Sequence, residues 1–476
     1  MHKFIQPTIL IALLASPAWA EEATPDNIVA DTYANIDIYA TAQTEPYASP
    51  KAIEPKLVAP ALLTKPVQVA LPSLSREDNA ALHLSILRDE VDSMTQVGFF
   101  GSLFSANEEL QRALMQDIEL FLTIYSDLSI TADVMLLKGE MFAKQNQPEA
   151  ATAAWLQTMY EFPQTDAARQ AKEAVLDVIE NDWDDAAETI KPILKNVPAK
   201  DIASRLRELI NQLYPINDKE MVASLTLLQL DFLKRFSDDI HADEVQVLLA
   251  HNMGAESAES GVFGFKKLLA LYPNSHYRPE AMLAIADLQR LRLKKYEKAA
   301  ANYQVLIKEH PEHKLAKHAY ENLALTQAQH LKQYAEAIVT NTKIVELYPE
   351  DKMSIKALQD MAKLQEKKTD EPRKAVASLR KLATMFHSYE ATDALADAIK
   401  IADKKLKDNA LAFEVRQQLV RDYPNSDNAP KALFAMAEYM ESLNDSGQAT
   451  DLYNQLLSQY PEHKLAAKVR KQQATK

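Results

Sequence analysis

The feature that most constrains the fold is a pattern that recurs about every 37 residues. An aromatic or apolar residue, or His310 in one copy, is followed by Pro, Ser or His ten times between Tyr125-Ser126 and Tyr460-Pro461, at intervals of 35 to 39 residues. We call the second residue of each pair the anchor. Eight of the nine residues that lie twelve positions before the last nine anchors are Ala or Gly. The nine are Ala151, Ala186, Leu225, Gly261, Ala299, Ala337, Ala375, Ala412 and Ala449. Two helices that cross closely need such a small side chain.

Each repeat is predicted to form a helix A, a short turn, a helix B and a stop at the anchor, as in RPEAMLAIADLQRLRLKKYEKAAANYQVLIKEHP. A large residue lies four positions after the small one, on the same helix face, as in Trp155, Phe265, Tyr303 and Tyr453. Because two short amphipathic helices cannot bury their apolar faces alone, the hairpins must stack. The sequence therefore predicts an all-α chain, an α-solenoid (superhelix) of about nine to ten helical hairpins.

Two repeats carry a recognisable family pattern. In one repeat a small, an aromatic, a small, an aromatic and a proline residue follow in that order, as Gly139, Phe142, Ala151, Trp155 and Pro163. The last repeat has Ala437, Ala449, Tyr453 and Pro461. The chain resembles the tetratricopeptide repeat (TPR) superfamily, and its joints resemble those of Gram-negative periplasmic proteins of the Tol-Pal and outer-membrane-assembly type. The resemblance implies a superhelix that binds a protein partner and carries no cofactor.

The resemblance also implies where a partner binds, because helix A lines the groove in this family. Its groove positions, transferred to the helices with a clear small residue, are Asp133, Glu140, Glu280, Asp287, Arg290, His318, Glu321, Lys431, Glu438 and Glu441. Seven of the ten are carboxylates, so we expect a basic or amide-rich partner segment. The alternative is that they are solvated faces of an acidic protein.

The first twenty residues, MHKFIQPTILIALLASPAWA, have a basic start, a short apolar run and a small-x-small end. This pattern is typical of a secretory signal peptide, cleaved after Ala20. The run is too short to span a bilayer. Since the chain has no cysteine, it has neither disulfides nor a lipid-anchored cysteine, and we expect a protein of the periplasm.

The rest of the chain divides by composition. Residues 21–73 contain seven prolines and are predicted to be a disordered linker. They are followed by an N-terminal helical cap at 74–125, the repeats at 126–461 and a capping helix at 462–476. Charge is uneven: residues 21–290 hold 22 basic and 42 acidic groups, whereas 291–476 hold 30 and 25. The acidic total argues against nucleic-acid binding.

Two polar clusters in the sequence contain residue types that can bind metal ions. The string PEHKLA occurs at 311–316 and 461–466, and His310, His313 and His318 near the first copy could in principle ligate zinc. The second copy keeps a single histidine, so we expect a structural joint. NDWDDAAE at 181–188 lacks the glycine and spacing of a calcium loop. We predict no metal site.

No catalytic residue is predicted either. The chain has no cysteine, no G-x-S-x-G and no H-E-x-x-H, and its seven glycines argue against phosphate-binding loops. Lytic transglycosylases also carry an α-helical superhelix, but the repeats here leave fifteen residues for a catalytic domain. We therefore expect a protein that is not an enzyme.

Two functions remain open. The first is a periplasmic scaffold that binds protein partners in cell-envelope biogenesis or envelope complex assembly. The second is a peptidoglycan- or polysaccharide-binding accessory, or a regulator of a cell-wall hydrolase or synthase. Charged and amide residues in the groove favour the first, and aromatic residues favour the second. Other possible binding sites are the corner at Phe99, Phe100 and Phe104 and the proline-rich segment.

Overall fold

The structure, a computed structural model, describes residues 74–94, 106–181, 183, 187–195, 197–198, 200–216 and 218–474. The predicted signal peptide (1–20), the linker (21–73) and the phenylalanine corner lie outside these residues. All regular structure in the described residues is helical and no strand occurs there, which confirms the predicted all-α repeat fold. The described chain divides into two compact units, and the boundary in the sequence lies between Met253 and Gly254.

The first unit begins with two helices in the interval predicted to be a cap. Hairpins of similar length follow, and one helix in the middle is short. Its helices are α1 (Arg76–Ser93), α2 (Ala106–Ile124), α3 (Thr131–Lys144), α4 (Pro148–Glu161), α5 (Asp166–Asn181), α6 (Ala187–Ile193), α7 (Ile202–Leu213), α8 (Lys219–Arg235) and α9 (Ala242–Glu256), whose last residues enter the second unit.

The second unit is more regular, and three of its helices end in a π-helical turn. Its helices are α10 (Ala258–Leu271), α11 (Arg278–Asp287), α12 (Tyr296–Glu309), α13 (Lys314–Thr326), α14 (Tyr334–Leu347), α15 (Lys352–Lys367), α16 (Pro372–Met385), α17 (Tyr389–Lys400), α18 (Asn409–Asp422), α19 (Ala429–Ser442), α20 (Ser446–Gln459) and α21 (Lys464–Gln473). The π-helical turns are Leu288–Arg292 after α11, Gln327–Leu331 after α13 and Ile401–Leu406 after α17.

The small residues of the repeat lie where two helices meet. Every described member of the set is buried, while Ala186 lies outside the described residues. In the first unit the Trp155 indole covers Gly139 and donates through Nε1 to the Leu136 carbonyl at 3.2 Å. A Cβ on Gly139 would lie 2.2 Å from that nitrogen, so only glycine fits under this ring.

The turn between helix A and helix B has a recurrent left-handed residue. Positive φ angles between 50° and 62° occur at Asn146, Lys294, Lys332, Asp370, Lys407 and Asn444. The last five are 37 or 38 residues apart. Glycine adopts this conformation without strain, and Asn and Asp tolerate it better than lysine does. The chain therefore makes its tight turns with polar residues, which accounts for its low glycine content.

A buried glutamine joins the two helices of a hairpin in the second unit. Gln327 Oε1 accepts from Thr340 Oγ1, and Gln365 Oε1 accepts from Ser378 Oγ, each at 2.8 Å. The main-chain carbonyls of the same glutamines accept from Gln333 N and Glu371 N at 2.8 and 2.6 Å. Each glutamine thus holds the end of helix A to the start of helix B. The sequence analysis did not predict this contact.

The first unit departs from the repeat between α5 and α7. Helix α6 has seven residues and contains Pro192, so it cannot form a full helix B. Packing is completed by α8, where Arg235 makes a paired hydrogen bond with the buried Glu161 carboxylate of α4 at 2.6 and 2.8 Å. Across the described ranges, we find no helix with both the length and the apolar character needed to cross a membrane.

Candidate binding grooves on the A helices

The duplicated PEHKLA motif forms a helix cap. His313 precedes α13, and its Nδ1 accepts from the Leu315 backbone N–H at 3.3 Å. His463 precedes α21 and accepts from Leu465 with the same geometry and distance. His310 sits in the preceding joint, and burial lowers its pKa. The repeated histidine is a structural joint, as the sequence analysis expected; within the described ranges no three His, Asp or Glu side chains form a possible metal-binding group.

The ten predicted groove residues fall on four helices and differ widely in exposure. On α3, Asp133 and Glu140 are partly buried, and burial raises the pKa of Glu140. On α11 and its π-helical turn, Glu280 is partly buried, whereas Asp287 and Arg290 are 1% and 8% exposed. The predicted surface therefore contains residues that lie inside the protein.

The remaining predicted residues lie on α13 and α19. His318 is exposed, and Glu321 accepts from Lys356 of α15 at 3.1 Å. On α19 the three predicted residues are exposed: Lys431 donates to Asn428 at 2.9 Å, Glu438 lies 3.6 Å from Lys468, and Glu441 accepts from the Tyr453 hydroxyl at 3.1 Å. Only Glu321 among the ten lines one of the grooves described below.

Asp287 and Arg290 belong to a buried polar cluster. Both carboxylate oxygens of Asp287 lack a hydrogen-bond partner, and the Arg290 guanidinium lies 3.9 Å from one of them. Burial raises the pKa of Asp287 well above its usual range, and Arg290 opposes this. Tyr303 of α12 is fully buried beside them, and burial also raises its pKa. Because this cluster is closed to solvent, it affects the stability of the folded chain.

Two neighbouring grooves lie on the A-helix side of the second unit. Groove 1 has a volume of about 490 Å³ and lies between α13 and α15. Groove 2 has a volume of about 520 Å³ and lies between α15 and α17. Lys363 of α15 lines both. Each groove has an apolar floor, formed by residues such as Ile344 and Met353 in groove 1 and Leu379 and Ile401 in groove 2.

The walls of the grooves are rich in lysine. Their lysines are Lys332, Lys356, Lys363, Lys367, Lys368, Lys400, Lys404 and Lys405, and their carboxylates are Glu321, Asp360, Glu366, Asp393 and Asp397. Three of the carboxylates are paired within the walls, with Lys356, Lys363 and Lys400 at 3.1, 3.4 and 3.4 Å. Tyr334, with the Lys368 ammonium over its ring at 5.5 Å, is the one aromatic residue in the described lining. The grooves therefore present a surplus of positive charge over an apolar floor.

The sequence analysis missed these lysines for a definite reason. It transferred groove positions only to helices with a clear small residue in helix A, and so left out α15 and α17. The available signal was the positive balance of residues 291–476. The ten predicted residues came from four helices taken together, and their mostly negative charge concealed the positive charge that α15 and α17 carry.

Comparison with known proteins supports the repeat assignment. The tetratricopeptide repeat family model matches two segments. They are residues 280–313 and 431–463, which cover hairpins α11–α12 and α19–α20. TPR domains in general bind protein partners, and the fold is in general a non-catalytic scaffold. No curated protein matches the chain.

Several solved structures are similar to parts of the chain. A tetratricopeptide repeat protein from Parabacteroides merdae is 16% identical with a TM-score of 0.31, covering 56% of this chain and 97% of its own. PilF of Pseudomonas aeruginosa is 19% identical with a TM-score of 0.29, covering 50% and 99%. PilW, a type IV pilus biogenesis factor, is 17% identical with a TM-score of 0.28, covering 49% and 100%.

Proposed function

We propose that this chain is a periplasmic scaffold that binds a protein partner through grooves 1 and 2 and acts in cell-envelope biogenesis or complex assembly. The observation that carries the proposal is the lining of the grooves. Eight lysines and five carboxylates surround an apolar floor, and the described lining has a single aromatic ring. Protein segments offer the charged and apolar groups that complement such a surface, whereas carbohydrate binding favours stacked aromatic rings.

Support for the periplasm comes from the pattern of residues 1–20, which is typical of a secretory signal peptide. Without a cysteine, a lipid anchor on an N-terminal cysteine cannot hold the mature chain at a membrane. We expect the mature protein to begin at Glu21 and to be released with the soluble periplasmic fraction. N-terminal sequencing of protein from fractionated cells tests both points. Recovery of a chain that starts at Met1, or recovery only with membranes, would contradict the proposed location.

The binding site can be tested by photo-crosslinking in intact cells. A photoreactive amino acid at Gln329 of groove 1 or Gln359 of groove 2 should give a protein adduct. The same amino acid at Gln304, which is exposed on α12 outside the grooves, is the matched control. Adducts at Gln304 as strong as those in the grooves would place the binding site elsewhere.

Muramidase treatment separates this function from the alternative. A protein adduct keeps its mass after digestion of the cell wall, because it does not depend on glycan. Adducts that collapse on muramidase treatment would assign the grooves to peptidoglycan and would support the accessory function instead.

A further inference from the structure

Three A helices of the second unit, α13, α15 and α17, end in exposed lysines. We define the lysine row as Lys332 after α13, Lys367 and Lys368 at the end of α15, and Lys404 and Lys405 at the end of α17. All five residues line groove 1 or groove 2. Successive A helices run in the same direction, because each hairpin reverses the chain twice. The row therefore follows one edge of both grooves.

The helix dipole does not account for this row. A cation at a helix C-terminus is favourable because of the helix dipole, and this would apply equally to the B helices. Yet of the six B helices in the second unit, α12 and α18 have one basic residue each in their last turn, Lys308 and Arg421, and α10, α14, α16 and α20 have none. Lysines are concentrated at the ends of those helices that border the grooves, which points to a ligand rather than to helix stability.

Three members of the row, Lys332, Lys367 and Lys404, make no ion pair with any described residue. Each ammonium is therefore available to an incoming carboxylate. Lys368 lies over Tyr334, and Lys405 lies 3.1 Å from Asp370 at the surface. The apolar floor beside the row adds a requirement for apolar side chains. An occupant must then be both acidic and partly apolar, and it must be long enough to cross three helices.

We propose that grooves 1 and 2 bind an extended acidic segment of the partner protein, with carboxylates about three residues apart and apolar side chains between them. The inference rests on the proposed function and names the chemistry of the partner. Packed helices have axes about 8–10 Å apart, and a chain in the extended polyproline II conformation advances about 3.1 Å per residue and returns its side chains to the same side every three residues. A carboxylate at every third residue therefore meets the row at α13, α15 and α17 in turn.

The test uses a labelled 15-residue peptide of five Glu-Val-Thr repeats and the full chain, measured by fluorescence anisotropy. The comparison peptide has the same composition with its five glutamates contiguous. We expect the repeat peptide to bind at least several-fold more tightly than the comparison peptide, and its Kd to rise with added salt. Equal affinity for the two peptides would overturn the proposed spacing.

A matched pair of protein variants tests the row itself. The first carries Lys332→Gln, Lys367→Gln and Lys404→Gln. The control carries Lys266→Gln, Lys308→Gln and Lys381→Gln, three exposed lysines on α10, α12 and α16. Each variant loses three positive charges, so the long-range electrostatic attraction between the protein and the acidic peptide falls equally in both. We expect about a tenfold loss of peptide affinity in the first variant only. An equal loss in both would overturn the assignment.

Two further outcomes are decisive. If vesicles containing phosphatidylglycerol bind through the row and the peptide does not, the surface is a lipid site and the inference is wrong. If the groove crosslinks form in cells but the peptide fails to bind, the proposed function stands and the acidic segment is rejected. Absence of both crosslinks and peptide binding would reject both. Circular dichroism of all variants verifies that the fold is intact.

Discussion

Hairpins α3–α4 and α11–α12 occupy equivalent places in the repeat but fill the space between their helices differently. In α3–α4 the large residue is Trp155, which packs on Gly139 and has its one donor satisfied by Leu136. In α11–α12 the large residue is Tyr303, which packs beside the charged side chains of Asp287 and Arg290. The contact at Trp155 is apolar and its indole N–H is hydrogen-bonded, whereas the contact at Tyr303 encloses charged side chains.

The difference teaches that a repeat position determines which way a side chain points, and that its neighbours determine whether it is buried. Asp287 and Glu438 both follow the small residue of helix A by one position. Asp287 is 1% exposed, and Glu438 lies at the surface near Lys468. Four predictions, taken from the largest expected effect to the smallest, test this contrast.

Trp155→Ala should have the largest effect, because it removes the ring that fills hairpin α3–α4. We expect a loss of about 3–5 kcal/mol in the free energy of unfolding, measured by chemical denaturation. Exposed Phe263→Ala on α10 is the control, and it should change stability by about 0.5 kcal/mol or less. An unchanged midpoint in Trp155→Ala would show that the repeat phase is wrong.

Gly139→Ala approaches the same contact from the other side. The new methyl group would overlap the Trp155 ring, and a buried indole has little room to move. We expect about 1–3 kcal/mol of destabilisation. Gly447→Ala on α20 is the matched control, since its Cβ would meet its nearest neighbour at 3.6 Å. If the two variants melted alike, the close approach at Gly139 would be refuted.

Asp287→Asn should stabilise the protein at neutral pH, by an amount on the order of 1 kcal/mol. Burial raises the pKa of Asp287 above its unfolded value, so the folded state holds a proton that the unfolded state releases. The stability of the parent must then fall as pH rises above the usual aspartate range. Melting temperatures between pH 4 and pH 8 should show the advantage of the variant growing with pH. A constant difference would contradict the raised pKa.

Lys294→Gly should have the smallest effect, a gain of about 0.5–1 kcal/mol. Lys294 and Asn146 occupy the left-handed turn position of the two hairpins, at φ 53° and 58°. The left-handed conformation costs free energy for lysine and much less for asparagine. Glycine removes that cost but increases the entropy of the unfolded state, so the substitution gives a net gain only at Lys294. Asn146→Gly should therefore be neutral or slightly destabilising. Equal shifts in the thermal midpoints of both variants would show that the turns do not differ in strain.

The sequence by itself determined the helical hairpin, its period and the small residues at the helix crossings. These features depend on side chains that are close in the chain or repeat at a fixed phase, such as Ala299 and Tyr303, and helical geometry converts that spacing into a shared face. The histidine joint at His313 followed from the same logic, because the duplicated motif showed that it was structural.

Only the tertiary structure decided which charged residues are buried and which line a groove. Burial of Asp287 and exposure of Lys332, Lys367 and Lys404 depend on helices from neighbouring hairpins. No periodic pattern within one helix records how closely the next hairpin covers it. The hydrogen bond from Thr340 to Gln327 likewise requires two helices to be brought to a fixed distance. The local sequence pattern determines which way a side chain points from its helix. The environment of that side chain is determined by packing between elements that are distant in sequence.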